Sequence, residues 1–463
     1  MLDNLTAARE QMALSLTFHI IFAVLGVGLP WLLLFVEHRA IVTGDPVWKA
    51  LARRWSKALA ILFGIGAVSG TVLSVEFGLL WPAFMERFGA AFGVSFSLEA
   101  FAFFAEAIFL GLYLYGWDRL SPRAHWWCGV PIAIGGTLSA LFVTTANAWM
   151  NTPVGIVTAD GKVVESEPFA PFQAPTAWPQ ITHLLIAAAM CTGFTVAAVY
   201  AVGMLRGKRG KYYQRGLTVG LAVGLIFTPI QLLVGDWAIR AVEKNQPTKM
   251  AAIEALPHSG DNAPLSLGGV YDEETGELKG GIEIPSGLSL LLGGSPNTHV
   301  TGLDKTPKED QPPVTTTHLA FDLMVGIGLG LFALTGWALW RHRRAAGTWR
   351  MRADNDESWT KVFTSRWFLR ALAISGPAAM TALIAGWIVT EVGRQPWIVY
   401  QLMRTEDAVS TAPGLEVWLY VTIVIYTALS ITLISVLRRL ARSPIAGLDA
   451  QGNPLEEKAE VAA

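Results

Sequence analysis

Long apolar runs alternate along this chain with short polar connections marked by Gly and Pro, and each run has the roughly 20-residue length that crosses a bilayer as a helix. About nine such runs occur, centred near Phe22, Gly70, Phe104, Ile134, Cys191, Leu225, Leu329, Ala382 and Ile425. The first, about Met12 to Val36, is too long for a signal-peptide core, lacks a small-residue cleavage site and follows Asp3, Arg9 and Glu10. It is therefore expected to remain as a span. The pattern predicts an all-α fold: a polytopic membrane helical bundle of about nine transmembrane helices with one long outer-side loop.

Charge between the runs sets the expected orientation. Arg39, Lys49, Arg53 and Arg54 follow the first run, Arg206, Lys208, Arg209, Lys211 and Arg215 the fifth, and Arg341, Arg343, Arg344, Arg350 and Arg352 the seventh. Arg438, Arg439 and Arg442 follow the ninth. By the positive-inside rule these connections face the cytoplasm, the N-terminus lies outside and the C-terminus is cytoplasmic. The expected organisation is 1-236 for helices one to six, 237-316 for the outer-side loop, 317-440 for helices seven to nine, and 441-463 for a polar, frayed cytoplasmic tail. A loop of that length without clear periodicity is usually functional or mobile.

Composition sharpens the class. With 463 residues, 52% hydrophobic, 15% charged and 18 tryptophans, the chain is too apolar for a soluble protein of this size. A formal net charge of -1 and the lack of a basic patch interleaved with aromatics argue against a nucleic-acid partner. Cys128 and Cys191 sit singly in apolar runs, so they read as packing residues rather than as a disulfide or metal cluster.

Candidate chemistry lies where ionisable groups enter the spans. Glu391 stands near the end of an apolar run, and an unpaired carboxylate in hydrocarbon needs a cation or a metal. Trp387 and Arg394 fall on the same helical face as Glu391. Pro396 disfavours helical geometry at Gln395, which puts Glu391 in or near the last turn, where the helix dipole is unfavourable to an anion. Of the eight histidines only His19 and His183 lie well inside apolar runs. With the expected topology His19, His183, Met324 and Glu391 share the outer half of the membrane on four helices, which favours a cofactor layer over unrelated polar positions. Taken singly, a transmembrane His also serves as an interhelical donor and a Met is ordinarily core filler. Glu99 and Glu106 are two turns apart on one helical face, either stepping stones for protons or ions, or partners of nearby cations. Lys57 and Glu76 are candidates to feed that face.

The segment GWIVTEVGRQPW, from Gly386 to Trp397, resembles the signature of subunit I of cytochrome bd-type quinol oxidases, with GRQPW the specific core. Further segments agree along nearly the whole chain: Ala52 to Pro82, Leu98 to Leu120, NAWMNTPVG from Asn147, KMAAIEA from Lys249, and HLAFDLMVGIGLG from His318. The resemblance implies that His183 and Met324 are the axial ligands of a low-spin haem b. It implies that His19 and Glu391 hold a high-spin haem b and a haem d, or a further haem b in its place, without deciding which residue holds which. It places Glu99 and Glu106 on a proton path, and Lys249 and Glu254 in the quinol-oxidising region.

The implied activity is quinol:O2 oxidoreduction to water in a bacterial or archaeal plasma membrane. Electrons would be taken on the outer side and protons from the cytoplasm. The implied partners are membrane quinol, O2, a smaller multi-span subunit II and, as an optional addition, a very small single-span subunit. Two departures stand out: Asp322 occupies a position where some members carry a basic residue, and the distal loop sequence IPSGLSLLLGGSPNTHVTGLD marks a subgroup with a short loop. The residues alone leave open a proton- or ion-coupled transporter, which would show inverted repeats and interrupted helices. They also leave open a haem-bearing electron-transfer anchor that does not reduce oxygen.

Overall fold

The computed structural model describes residues 2–159, 162–347 and 356–455; Arg350 and Arg352 lie outside them. Nine of its helices are long and apolar enough to cross a membrane. They are α1 (Asn4–Thr43), α2 (Pro46–Leu80), α3 (Pro82–Gly116), α4 (Pro122–Asn151), α5 (Ala177–Leu205), α6 (Lys211–Asn245), α9 (Val314–Ala346), α11 (Arg366–Val392) and α13 (Leu415–Arg442). Short helices α7 (Pro247–Ile253), α8 (Gly287–Gly293), α10 (Asp356–Val362) and α12 (Thr405–Ala408) lie between them.

Local chemistry starts and stops these helices. Asp3 accepts from the Thr6 amide at 2.9 Å to cap α1, and Asp45 accepts from the Val47 amide at 2.9 Å to cap α2. Proline opens α2, α3 and α4, where its missing N–H removes nothing from the helix. Gly44 ends α1 in the left-handed region at φ +66.

Packing divides the bundle into two joined groups. Helix α1 contacts α2, α4, α5 and α13, and α3 lies along α4. The second group is built on α5, which packs on α6 and α11, with α9 against α11. The α5 and α6 backbones approach closely because Gly193 and Gly220 face each other: a Cβ on Gly193 would come within 2.9 Å of the Gly220 carbonyl oxygen.

The long loop after α6 is built rather than structureless. Beyond α7 it forms two small antiparallel ribbons. Strand β3 (Leu265–Leu267) pairs with β6 (Ile282–Ile284), and β4 (Val270–Asp272) with β5 (Glu277–Lys279). Elsewhere β1 (Ile156–Ala159) pairs with β2 (Lys162–Ser166), and β7 (Trp397–Val399) with β8 (Met403–Arg404).

The tail corrects one expectation. Instead of fraying from Ser443, it is held as far as residue 455: the Gly210 and Tyr212 amides donate to the carbonyls of Gln451 and Gly452 at 2.9 and 3.0 Å, and Leu448 is buried. Backbone donors in the α5–α6 turn need acceptors, and the tail supplies them. Residues 456–463 fall outside the described range.

Candidate functional site

Helix α11 ends at Val392, one residue after Glu391, and the chain turns away through Gly393 to the β7–β8 hairpin. Arg394 reaches back to Glu391, donating from Nη2 to Oε2 at 2.7 Å, while Asn147 of α4 donates its side-chain amide to Oε1. Arg394 is buried, and its Nε and Nη1 have no acceptor among the described residues. Each unmet buried donor costs about 1–3 kcal/mol, so the guanidinium is arranged for an anionic group beyond Glu391. Trp387 lies one turn inward, half-buried against the main core.

Lys249 of α7 reaches the same place from the long loop after α6. Its Nζ donates to Asn151 Oδ1 at 2.6 Å and to the Thr390 carbonyl at 3.1 Å, and Asn151 donates in turn to Asn147 Oδ1 at 3.1 Å. Burial, with the Arg394 charge adding to it and Glu391 opposing, pushes the Lys249 ammonium down to about 7. The resemblance implies a quinol-region role for Lys249 and iron ligation for Glu391. Folding joins the two groups.

Glu254 caps the far end of α7 and is buried, with Oε1 unpartnered among the described residues. Burial, reinforced by the negative charge of Asp322, pushes its carboxyl up to about 8. Asp322 does not stand free: its carboxylate accepts from the Gly268 amide and lies 3.5 Å from His318 Nε2. His318 also bonds the Ile253 carbonyl through Nδ1 at 2.7 Å, which ties the end of α7 to α9.

His183 on α5 faces α6, with both ring nitrogens 3.2 Å from Gln231 Nε2 and with Gln231 Oε1 unpartnered among the described residues. Gly235 on α6 lies beside the ring. Met324 on α9 points at α11, where a Cβ on Gly386 would come within 2.8 Å of its Sδ. Around Gly326, Gly328 and Gly330 an added Cβ would meet nothing within 4 Å. An imidazole on α5 and a thioether on α9, two helices that both pack on α11, lie beside glycine surfaces that suit a flat macrocycle they could hold. An apolar cleft of about 460 Å³ continues between α9 and α11 past Gly330 and Leu334.

His19 on α1 accepts from or donates to Ser69 Oγ through Nδ1 at 3.0 Å and packs against Gly70 of α2. That hydrogen bond fixes the ring and leaves Nε2 for a ligand, as in metal-binding histidines generally. Glu76 lies on the same side, with Oε1 accepting from Gln11 at 2.9 Å and Ser15 at 2.8 Å. It therefore belongs to the α1–α2–α13 contact and not to the Glu99–Glu106 face. Lys57 is exposed on α2.

Glu99 and Glu106 both face α4. Ser139 donates to Glu99 at 3.0 Å, and Glu106 is buried where Gly135 and Gly136 leave room for its carboxyl: a Cβ on Gly136 would lie 3.4 Å from both oxygens. Farther along the same contact Ser95 and Thr145 hydroxyls pair at 2.8 Å, two residues before Asn147. Polar groups thus run along the α3–α4 contact from Glu106 past Glu99 to Ser95 and Thr145. Sequence reasoning passed over Asn147, Ser139 and Gln231, whose small polar side chains carry no distinguishing signal in an apolar run.

The profile of the family described as cytochrome bd terminal oxidase subunit I matches residues 7–445. The putative cytochrome bd menaquinol oxidase subunit I of Bacillus subtilis (strain 168) is 33% identical over 442 residues, covering 94% of this chain and 96% of that protein. The cytochrome bd ubiquinol oxidase subunit 1 of the same organism is 30% identical over 420 residues, covering 88% and 86%. The solved structure of bd oxidase from Geobacillus thermodenitrificans superposes with a TM-score of 0.86 at 35% identity, covering 96% of this chain and 99% of that one.

Proposed function

As a member of the cytochrome bd terminal oxidase subunit I family, to which this chain belongs, the protein is a multi-pass membrane subunit of a haem-containing quinol:O2 oxidoreductase, and we propose which of its residues carry the reaction. His183 and Met324 would hold a low-spin haem b, and His19 and Glu391 a high-spin haem b and a haem d, or a further haem b. Bound haem supplies one-electron transfer and the reduction of oxygen.

The chain's own residues do the rest. Glu254 takes a proton from the quinol, which loses two on oxidation, and the outer loop, residues 237-316, forms the quinol site. Lys249 uses two of its three N–H donors on Asn151 and Thr390, leaving one for a quinol oxygen. Arg394 and Asn147 neutralise and orient Glu391. Glu106 and Glu99 hand protons from the cytoplasm along the α3–α4 contact toward Glu391. Electrons enter on the outer side, protons on the inner, and the membrane is charged without a dedicated pump. The N-terminus lies outside and the C-terminus in the cytoplasm of a bacterial or archaeal plasma membrane. Apolar faces of α2 and α3, including Val75, Leu79, Phe101, Phe104 and Ile108, are exposed and suit a smaller multi-span subunit II, with a very small single-span subunit as an optional addition.

One observation supports this reading: the Lys249 ammonium bonds the Thr390 carbonyl at the end of α11 beside Glu391, as expected if the quinol site lies next to the ligand layer. A reduced-minus-oxidised spectrum of the purified complex with a pyridine haemochrome assay tests it. Haem b bands with a d-type band are expected; b bands alone assign a further haem b, and absence of haem ends the reading.

A further inference from the structure

Three polar side chains that the reaction above does not use are buried together at the end of the bundle opposite Glu391. Glu37 of α1, Tyr113 of α3 and His125 of α4 are 3%, 0% and 2% exposed. Tyr113 donates its hydroxyl to Glu37 Oε2, His125 Nδ1 lies 2.6 Å from Glu37 Oε1, and His125 Nε2 lies 2.9 Å from the Tyr113 carbonyl oxygen. A carbonyl only accepts, so Nε2 carries a proton. Nδ1 faces a carboxyl oxygen, so one further proton sits between His125 and Glu37 whichever of the two holds it.

Position gives this shared proton a use. Tyr113 follows Glu106 by seven residues as Glu106 follows Glu99, so all three stand on one stripe of α3, each pair roughly 10 Å apart along the axis. Gly129 of α4 packs on the Tyr113 ring as Gly136 does on the Glu106 carboxyl, which keeps the stripe free of bulk from α4. On the cytoplasmic side the Trp117 ring covers His125 at 4.2 Å. The charged and titratable neighbours are few: Arg53 of α2 lies over Trp117 and pairs with Asp118, His38 of α1 sits against Trp126, and Cys128 of α4 lies beside Tyr113. A merely structural staple at this point would be better served by apolar packing, because buried polar groups gain little over well-packed hydrophobic ones.

We infer that Glu37, His125 and Tyr113 form a proton-loading station between the cytoplasm and Glu106. The proton shared by Glu37 and His125 passes inward along a short file of water toward Glu106, and another from the cytoplasm replaces it past Trp117. The cluster gains one proton and loses one, so its charge is unchanged over a cycle. Tyr113 orients Glu37 and is a positioning residue. This rests on the proton-path reading of Glu106.

The test compares His125→Gln, Glu37→Gln, Glu37→Asp and Glu106→Gln in the assembled oxidase in native membranes, with haem content and quinol-driven oxygen uptake measured from about pH 6 to about pH 9. With haem content unchanged, the two cluster Gln variants are expected to slow about tenfold or more at the alkaline end and less at the acid end, where protons are plentiful, while Glu37→Asp keeps most of the rate. Wild-type rates at every pH in both cluster Gln variants, beside a slow Glu106→Gln, overturn the station and leave the path standing. A wild-type rate in Glu106→Gln removes the path, and the station with it. Loss of assembly in both cluster Gln variants, or equal rates for Glu37→Asp and Glu37→Gln, makes the cluster a staple and likewise overturns the proposal.

Discussion

Lys249 of the long loop donates to the backbone carbonyl of Thr390 at 3.1 Å, so helix α7 is fastened to the residue next to Glu391. Lys249→Ala removes that fastening and leaves Asn151 and the Thr390 carbonyl without their donor. Quinol-driven turnover is expected to fall about tenfold or more, with haem content and oxygen uptake from an artificial donor spared. Equal losses with both donors would place the defect at the haems or in assembly.

Glu254 gives a pH signature. Burial and then Asp322 push its carboxyl up to about 8, so below that pH it is protonated and unable to accept a proton from quinol. Turnover at limiting quinol should therefore rise with pH through about 8, since ionisation creates the base. Glu254→Gln should be slower and lack this rise. A rise that persists in the variant assigns it to another group.

Met324→Leu conserves volume and removes only the thioether. Loss or a marked shift of the low-spin haem signal is expected, with the other haem signals retained, and His183→Ala should do the same. An unchanged low-spin spectrum in Met324→Leu would make this methionine a packing residue.

Asn147→Ala leaves one oxygen of the half-buried Glu391 carboxylate without its protein donor. The haem held by Glu391 should change its spectrum while the His183–Met324 signal persists. Identical spectra throughout would separate Asn147 from that site.

Glu99→Gln and Glu106→Gln keep size and hydrogen bonding but remove the titratable proton. Oxygen reduction should slow about tenfold or more with the haem spectrum intact. Wild-type turnover of both under saturating quinol and oxygen would make these acids structural.

The spans and Glu391 were legible because apolar length and a carboxylate inside it are properties of neighbouring residues. So was the end of α11, since Pro396 acts on the residue before it. The fastening of Lys249 to Thr390 and the donation from Asn147 to Glu391 were not, because they join residues far apart in the chain and no local period encodes them. Glu37, His125 and Tyr113 escaped for the same reason: each sits near the end of a different run and looks like a boundary residue until three helices close around it. Glu76 stands in the sequence as a candidate to feed the Glu99–Glu106 face, and only packing reveals that it turns toward Gln11 and Ser15.

The contact of α13 with α1 has a consequence in time. Phe18 stacks on Tyr426 at 4.3 Å, Tyr426 donates to Ser15 at 3.1 Å, and Asn4 bonds the carbonyls of Ser410 and Ala412, so α1 is closed by α13, the last of the described spans. As the described spans are made in order, the face of α1 that carries Ser15 and Phe18 lacks its protein cover until α13 arrives.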